Sequence, residues 1–181
     1  MPVVANTYGG TAHLSPLLRK ARRLGLATPK ALLHLAVKRG CDHYTPTDYD
    51  GRAVDDPGLV ALSDAELGMA LISGAQEYDP QWMRCAAQLL SRPGLNTSDL
   101  VRLALMERCA PVLRYIGVQA MQWDAGREAF WAEVLAGLPA GMAAPAGVWP
   151  HPSRFMTQAG YRRGGGQALP VWLRPRAAAP R

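Results

Sequence analysis

The sequence predicts an all-α fold, a single domain of about six or seven helices arranged as a bundle or as stacked α-hairpins. Three observations carry that expectation. Apolar residues recur at a spacing of about 3.6 in successive segments, which lines them along one helix face. Helix-start signatures stand ahead of most of these segments, and glycine or proline stops follow several of them. Between residues 60 and 139 nothing alternates with the period of two that a half-buried strand requires.

Each element can be justified in turn. Ser15-Pro16 opens a first helix that Gly25 closes, with proline at the first helical position, where its missing N–H costs nothing. Its apolar stripe is Leu17, Leu18, Ala21 and Leu24. Thr28-Pro29 opens a second helix, stopped by Gly40. Ser63-Asp64-Ala65-Glu66 is a capping box, in which hydroxyl and carboxylate each satisfy an orphan amide, and it starts a third helix running to about Gly74. Asp79-Pro80 starts a fourth, ending at Ser91–Gly94, whose stripe is Met83, Ala86, Ala87 and Leu90. Thr97 or Ser98 starts a fifth, with Leu100, Leu103, Ala104 and Met106 on its apolar face. Pro111 kinks that helix or begins a sixth reaching Trp123, and Asp124 can cap a seventh ending near Leu138-Pro139. Small residues (Gly68, Ala70, Ala86, Ala87, Ala104, Ala110, Gly117) suit close helix packing or a partner helix laid in a groove.

The expected organisation is an N-terminal extension (1–14), a helical domain (15–139) and a basic extended C-terminal arm rich in Gly, Pro and Arg (140–181). Within the domain, residues 15–40 form a basic helical hairpin, 41–60 an acidic loop and 61–139 an acidic helical body. A chain of 181 residues can bury one adequate core without staples. Three widely spaced cysteines (Cys41, Cys85, Cys109) suggest no disulfide framework and fit a reducing compartment. The first residues lack a secretory pattern, and serine is scarce for a transit peptide. The longest uncharged stretch, Val134–Ser153, is broken by Pro139, Pro145, Pro150 and Pro152 and cannot span a membrane. A cytoplasmic location is the expectation.

Charge is segregated along the chain. Residues 1–40 carry seven cations and no acid, a balance of +7. Residues 41–139 hold all fourteen acids against seven arginines, a balance of −7, and residues 140–181 return to +6. Such a layout either grips a polyanion with its ends or folds those ends onto its own middle.

The first two helices have the spacing of a helix-turn-helix. Lys30, His34 and Lys38 recur every four residues on the second helix and share one face, with Arg19, Arg22, Arg23 and Arg39 nearby in sequence. A basic face suits phosphates, although the second helix has no Asn or Gln to read adenine edges. The bland alternative is a solvated face. The arm interleaves Arg154, Phe155, Tyr161, Arg162, Arg163, Trp172, Arg174 and Arg176, an arrangement able to stack on unpaired bases and meet phosphates. Equally, its aromatics can anchor the arm across the helical body.

Other chemistry is poorly supported. Gly164–Gly166 lacks the Gly-Lys-Ser/Thr ending of a phosphate loop. Cys41 and His43 are the only close ligand pair, short of the four a structural zinc needs. Asp42, His43, Asp48, Asp50, Asp55 and Asp56 could serve a hydrolase or metal enzyme, yet no nucleophile or cofactor loop accompanies them. No catalytic residue, metal or cofactor is therefore assigned. The leading expectation is a non-enzymatic, helical nucleic-acid-associated protein, with RNA or single strands favoured, acting as a small subunit of a larger complex. The rival is a protein–protein adaptor or antitoxin-like neutraliser whose basic ends pair with the acidic body, in one chain or across a homo-oligomer.

Overall fold

A computed structural model describes residues 15–41, 61–76, 79–141, 150–159 and 169–175. Among these, seven α-helices form the body: α1 (Pro16–Arg23), α2 (Pro29–Lys38), α3 (Asp64–Leu71), α4 (Pro80–Leu90), α5 (Thr97–Met106), α6 (Ala110–Trp123) and α7 (Glu128–Gly137). A short 3-10 turn (Pro152–Phe155) follows, then strands β1 (Met156–Ala159) and β2 (Leu169–Trp172). The strands pair antiparallel, Met156 opposite Trp172 and Ala159 opposite Leu169.

The caps explain where the helices begin. Ser15 Oγ accepts from the Leu18 amide, Thr28 Oγ1 from Ala31 and Asp79 Oδ1 from Gln81. Both halves of the Ser63–Glu66 capping box form. Two expectations need correction. The fifth helix is capped by Asn96, whose side chain accepts from the Asp99 amide, so Thr97 and Ser98 are already helical. Asp124 does not cap the seventh helix, which starts after Arg127 without a side-chain cap. Asp124 instead closes α6 and turns inward.

Pro111 resolves as a helix start. Helix α5 ends at Met106, Arg108 takes a left-handed φ of 55°, and α6 begins at Ala110 with proline in its first turn. The third helix stops at Leu71, short of Gly74. Gly74 instead donates its amide to Glu107 O at 2.9 Å, and a Cβ there would sit 2.6 Å from Arg108 O. Only glycine allows these two backbones to meet.

Helices α3 and α4 pack as one sequential pair and α6 and α7 as another. Helix α5 joins the pairs by packing on α3, α6 and α7, while α1 and α2 both lie against α3. Small residues set the spacing: a Cβ at Gly68 would come within 2.9 Å of Leu90 Cδ2. The core runs continuously from Leu17 and Leu18 through Leu67, Leu89 and Leu113 to Trp131, and it includes Phe155 and Trp172. Met106, expected on the apolar face of α5, is exposed, as are Leu105 and Val118. No described helix is long and apolar enough to cross a membrane.

Candidate functional site

Helix α1 separates its residues cleanly. Leu17, Leu18 and Ala21 are buried, while Arg19, Arg22 and Arg23 are exposed. Lys20, Arg22 and Arg23 occupy the last turn, where cations complement the helix dipole. Lys20 reaches Glu66 at 2.6 Å. Burial would raise the Glu66 pKa, but the hydrogen bond and charge of Lys20, with the Ser63 amide and hydroxyl, outweigh it and hold the carboxyl below its ordinary value.

Helix α2 departs from the expected solvent stripe. Lys30 is exposed, His34 and Lys38 are half-buried, and all three have partners within the chain. Arg39, its side chain only 10% exposed, pairs with Asp64 at 2.9 Å and also donates to Leu62 O. Asp64 is shared with Arg92, 3.0 Å away. Arg92 in turn donates to Arg39 O, so two arginines and one aspartate tie the end of α2 to α3 and α4.

The C-terminal segment is pinned to the body between α4 and α6. The 3-10 turn lies on α4 and β2 on α6. Phe155 and Trp172 stack with ring centroids 5.4 Å apart, and Tyr115 meets Phe155 edge-on. Both Phe155 and Trp172 are buried, which corrects their assignment as surfaces for stacking bases and makes them anchors. Tyr115 Oη donates to Pro150 O at 2.7 Å, and burial raises its pKa. Trp172 Nε1 donates to Ser91 Oγ at 2.5 Å, and Gln88 Nε2 donates to Arg174 O at 3.2 Å.

Asp124 is the centre of that contact. Its Oδ2 accepts from Trp131 Nε1 at 2.8 Å, and its Oδ1 accepts from Arg174 Nη2 at 2.6 Å and Nε at 3.1 Å. The aspartate side chain is fully buried while that of Arg174 is 44% exposed. Beside them Arg127 donates to Ser91 O and Arg92 O and lies 3.9 Å over the Phe130 ring. Burial lowers the Arg127 pKa and Arg174 adds to that, with Asp124 opposing. The carbonyls at the end of α4, negative by the helix dipole, thus gather an arginine from α7's N-terminus.

Several expected residues lie outside the described ones: Tyr161, Arg162, Arg163, Arg176 and the whole Asp42–Asp56 loop. Arg154 falls in the 3-10 turn. All three cysteines are buried; burial pushes the Cys85 thiol up to about 12 and raises that of Cys109 as well. Among the described residues no group of three His, Cys, Asp or Glu side chains could hold a metal ion.

Sequence reading missed the buried polar residues Gln88, Ser91, Glu107 and Asp124. The signal in each case was a polar residue falling in or beside an apolar stripe, which marks burial but not its partner. No family model matches the chain, and neither a curated protein nor a solved structure matches it.

Proposed function

We propose that this is a non-enzymatic helical protein that contacts nucleic acid through exposed arginines, chiefly Arg19, Arg22 and Arg23 of α1. The observation that carries the reading is the split of α1 into a face buried through Leu17, Leu18 and Ala21 and an exposed basic face with no acid on the helix. Spacing of three and four residues holds the three guanidinium groups on one side, where they can meet successive phosphates. Arg39 and Arg174 belong to the fold, since carboxylates of the body already engage them. Lys20 is likewise engaged by Glu66. The arginines of residues 160–168 and 176–181 extend the proposal on sequence grounds alone.

The test is fluorescence anisotropy with labelled single-stranded RNA, single-stranded DNA and duplex DNA across about 50–200 mM salt. Affinity should fall steeply with salt, and R19A/R22A/R23A should flatten the salt slope by roughly one for each phosphate-binding arginine removed. Absence of binding at the lowest salt removes the reading.

A second reading rests on a separate observation. Lys20–Glu66, Arg39–Asp64 and Arg174–Asp124 each join a basic end to the acidic middle within one chain. On that basis the charge segregation serves the protein's own fold and a protein partner, and nucleic acid plays no part. Capture of no nucleic acid, with a discrete protein complex in solution, would favour it.

A further inference from the structure

Three helices close with the same pair of backbone hydrogen bonds. After α1 the Leu26 amide donates back to Ala21 O at 2.9 Å and the Gly25 amide to Arg22 O at 3.1 Å. After α2 Cys41 donates to Ala36 O at 3.0 Å and Gly40 to Val37 O at 2.8 Å. After α5 Cys109 donates to Ala104 O at 2.9 Å and Arg108 to Leu105 O at 3.2 Å. This closure needs a left-handed residue just past the helix, a place that glycine fills without steric cost. Gly25 has φ 81° and Gly40 φ 89°, whereas the third position is Arg108 at φ 55°. Every other described residue with a positive φ is a glycine.

Nothing local explains an arginine there. Asparagine and aspartate tolerate the left-handed region because a short polar side chain can bond its own backbone, which a guanidinium on three methylenes does not do. A cation in the last turn of α5 would gain the same attraction from the helix dipole without a left-handed backbone. Among the described residues the Arg108 side chain has no hydrogen bond, ion pair or ring contact. The acid next to it, Glu107, is buried and committed to the Leu17 amide and Ser73 Oγ. Arg108 is exposed, as are Leu105 and Met106 at the end of α5, so the described body leaves this corner open to solvent.

The location of the corner gives that side chain a use. Glu107 Oε1 accepts from the Leu17 amide at 2.9 Å, which sets the corner between α5 and α6 against the first turn of α1. Arg108 thus stands beside the helix that exposes Arg19, Arg22 and Arg23. We propose that Arg108 is a phosphate-contacting residue of the same nucleic-acid surface, kept at a left-handed helix end for the sake of its guanidinium. The proposal rests on the nucleic-acid reading of α1 and extends its footprint from one helix to a second element. Both elements are fixed to each other through the buried Glu107, and Gly74 donates to Glu107 O at 2.9 Å from the other side. A strand is then met from two places whose separation the fold sets, so their phosphate contacts add.

The test compares R108G, R108K and R102Q in the full chain, by anisotropy with labelled single-stranded RNA and duplex DNA across about 50–200 mM salt. R108G restores the residue that the backbone favours, so its Tm should match or exceed that of the wild type while binding weakens. The slope of log affinity against log salt should fall by about 0.7 on the single strand or about 0.9 on the duplex, the value of one phosphate contact. R108K keeps the charge and should keep the slope. R102Q removes an exposed cation from α5 itself, one already paired with Asp99 at 3.2 Å, and should leave the slope unchanged.

A Tm of R108G below that of the wild type makes Arg108 a support of the fold and overturns the proposal. An R108G slope equal to that of the wild type overturns it too. Equal losses in R108G and R102Q do the same, since net charge alone would then account for the effect. Binding that is lost in R19A/R22A/R23A and intact in R108G rejects Arg108 alone and leaves the reading of α1 standing. Absence of binding by the wild type removes both.

Discussion

Replacing Glu107 tests how the basic N-terminal helices are fastened to the body. Its carboxylate is buried and accepts from the Leu17 amide at 2.9 Å and from Ser73 Oγ at 2.9 Å. Leu17 is in the first turn of α1, so the charge sits where the helix dipole favours an anion and satisfies an amide with no intrahelical partner. Hydrogen bonds to a charged acceptor are worth about 1.5–3 kcal/mol each, and an orphaned buried donor costs about 1–3 kcal/mol. Glu107→Ala orphans two donors and opens a void, for an expected loss of about 3–5 kcal/mol. Glu107→Gln keeps the volume and one acceptor towards Leu17 but presents an NH2 to Ser73, for a loss of about 1–2 kcal/mol. Urea unfolding followed by far-UV circular dichroism measures both, since roughly 2 kcal/mol per M converts the Gln loss to about 0.5–1 M in midpoint. A cycle with Ser73→Ala should reveal a coupling of about 1 kcal/mol or more. Glu107→Ala within about 1 kcal/mol of wild type, or a cycle without coupling, would refute the reasoning.

Three further outcomes follow from the geometry. Glu66 titrates below its ordinary value of 4.5 in the folded chain, so its contribution is present above that pH and lost as pH falls through the folded value. Lys20→Met should therefore cost about 0.5–1 kcal/mol near neutrality and nothing at the acid end of a pH series of thermal melts; a pH-independent difference would exclude the pair as its cause. Burial of all three thiols, with Cys85 pushed up to about 12, predicts no alkylation of the native protein and three labels after unfolding, read by intact-mass spectrometry. Native labelling at the rate of a free thiol would show that the core opens there. Gly74→Ala should lower stability by about 1–3 kcal/mol, because its Cβ would meet the Arg108 carbonyl at 2.6 Å. A Gly74→Ala midpoint equal to wild type would mean the two turns separate without cost.

Helix starts were the most legible feature of the sequence because the cap is a local event. Ser15, Thr28, Ser63 and Asp79 each bond an amide two or three residues ahead, and proline follows three of them. Asp124 misled for the same reason. An aspartate ahead of a helical stripe has the composition of a cap, and only the fold brings Trp131 and Arg174 to it. Their separations of 7 and 50 residues lie beyond any local signal. The pairing of basic ends with the acidic middle was visible as one of two options in the charge pattern. Which cations pair was not, since Lys20 and Arg19 are neighbours in sequence and differ only in the helix face they occupy.

That difference bears on how one basic terminus can serve both fold and partner. A helix on the surface of a body offers three directions: towards the core, along the flank and out to solvent. In α1, Leu17, Leu18 and Ala21 take the first, Lys20 takes the second and meets Glu66, and Arg19, Arg22 and Arg23 take the third. Both partners remain partly exposed and Glu66 bears a desolvation cost that the pair must offset, so the flank pair fixes orientation more than it adds stability. In the proposed nucleic-acid contact, orientation is what the outer arginines would need, since guanidinium groups would meet successive phosphates only from a helix that does not roll. Lys20→Met should then weaken polyanion binding slightly although Lys20 itself faces Glu66. Glu66→Gln should do the same despite removing a negative charge, which in a purely electrostatic account would strengthen binding. Tighter binding by Glu66→Gln, measured with the same labelled strands at low salt, would show that net charge alone governs the contact.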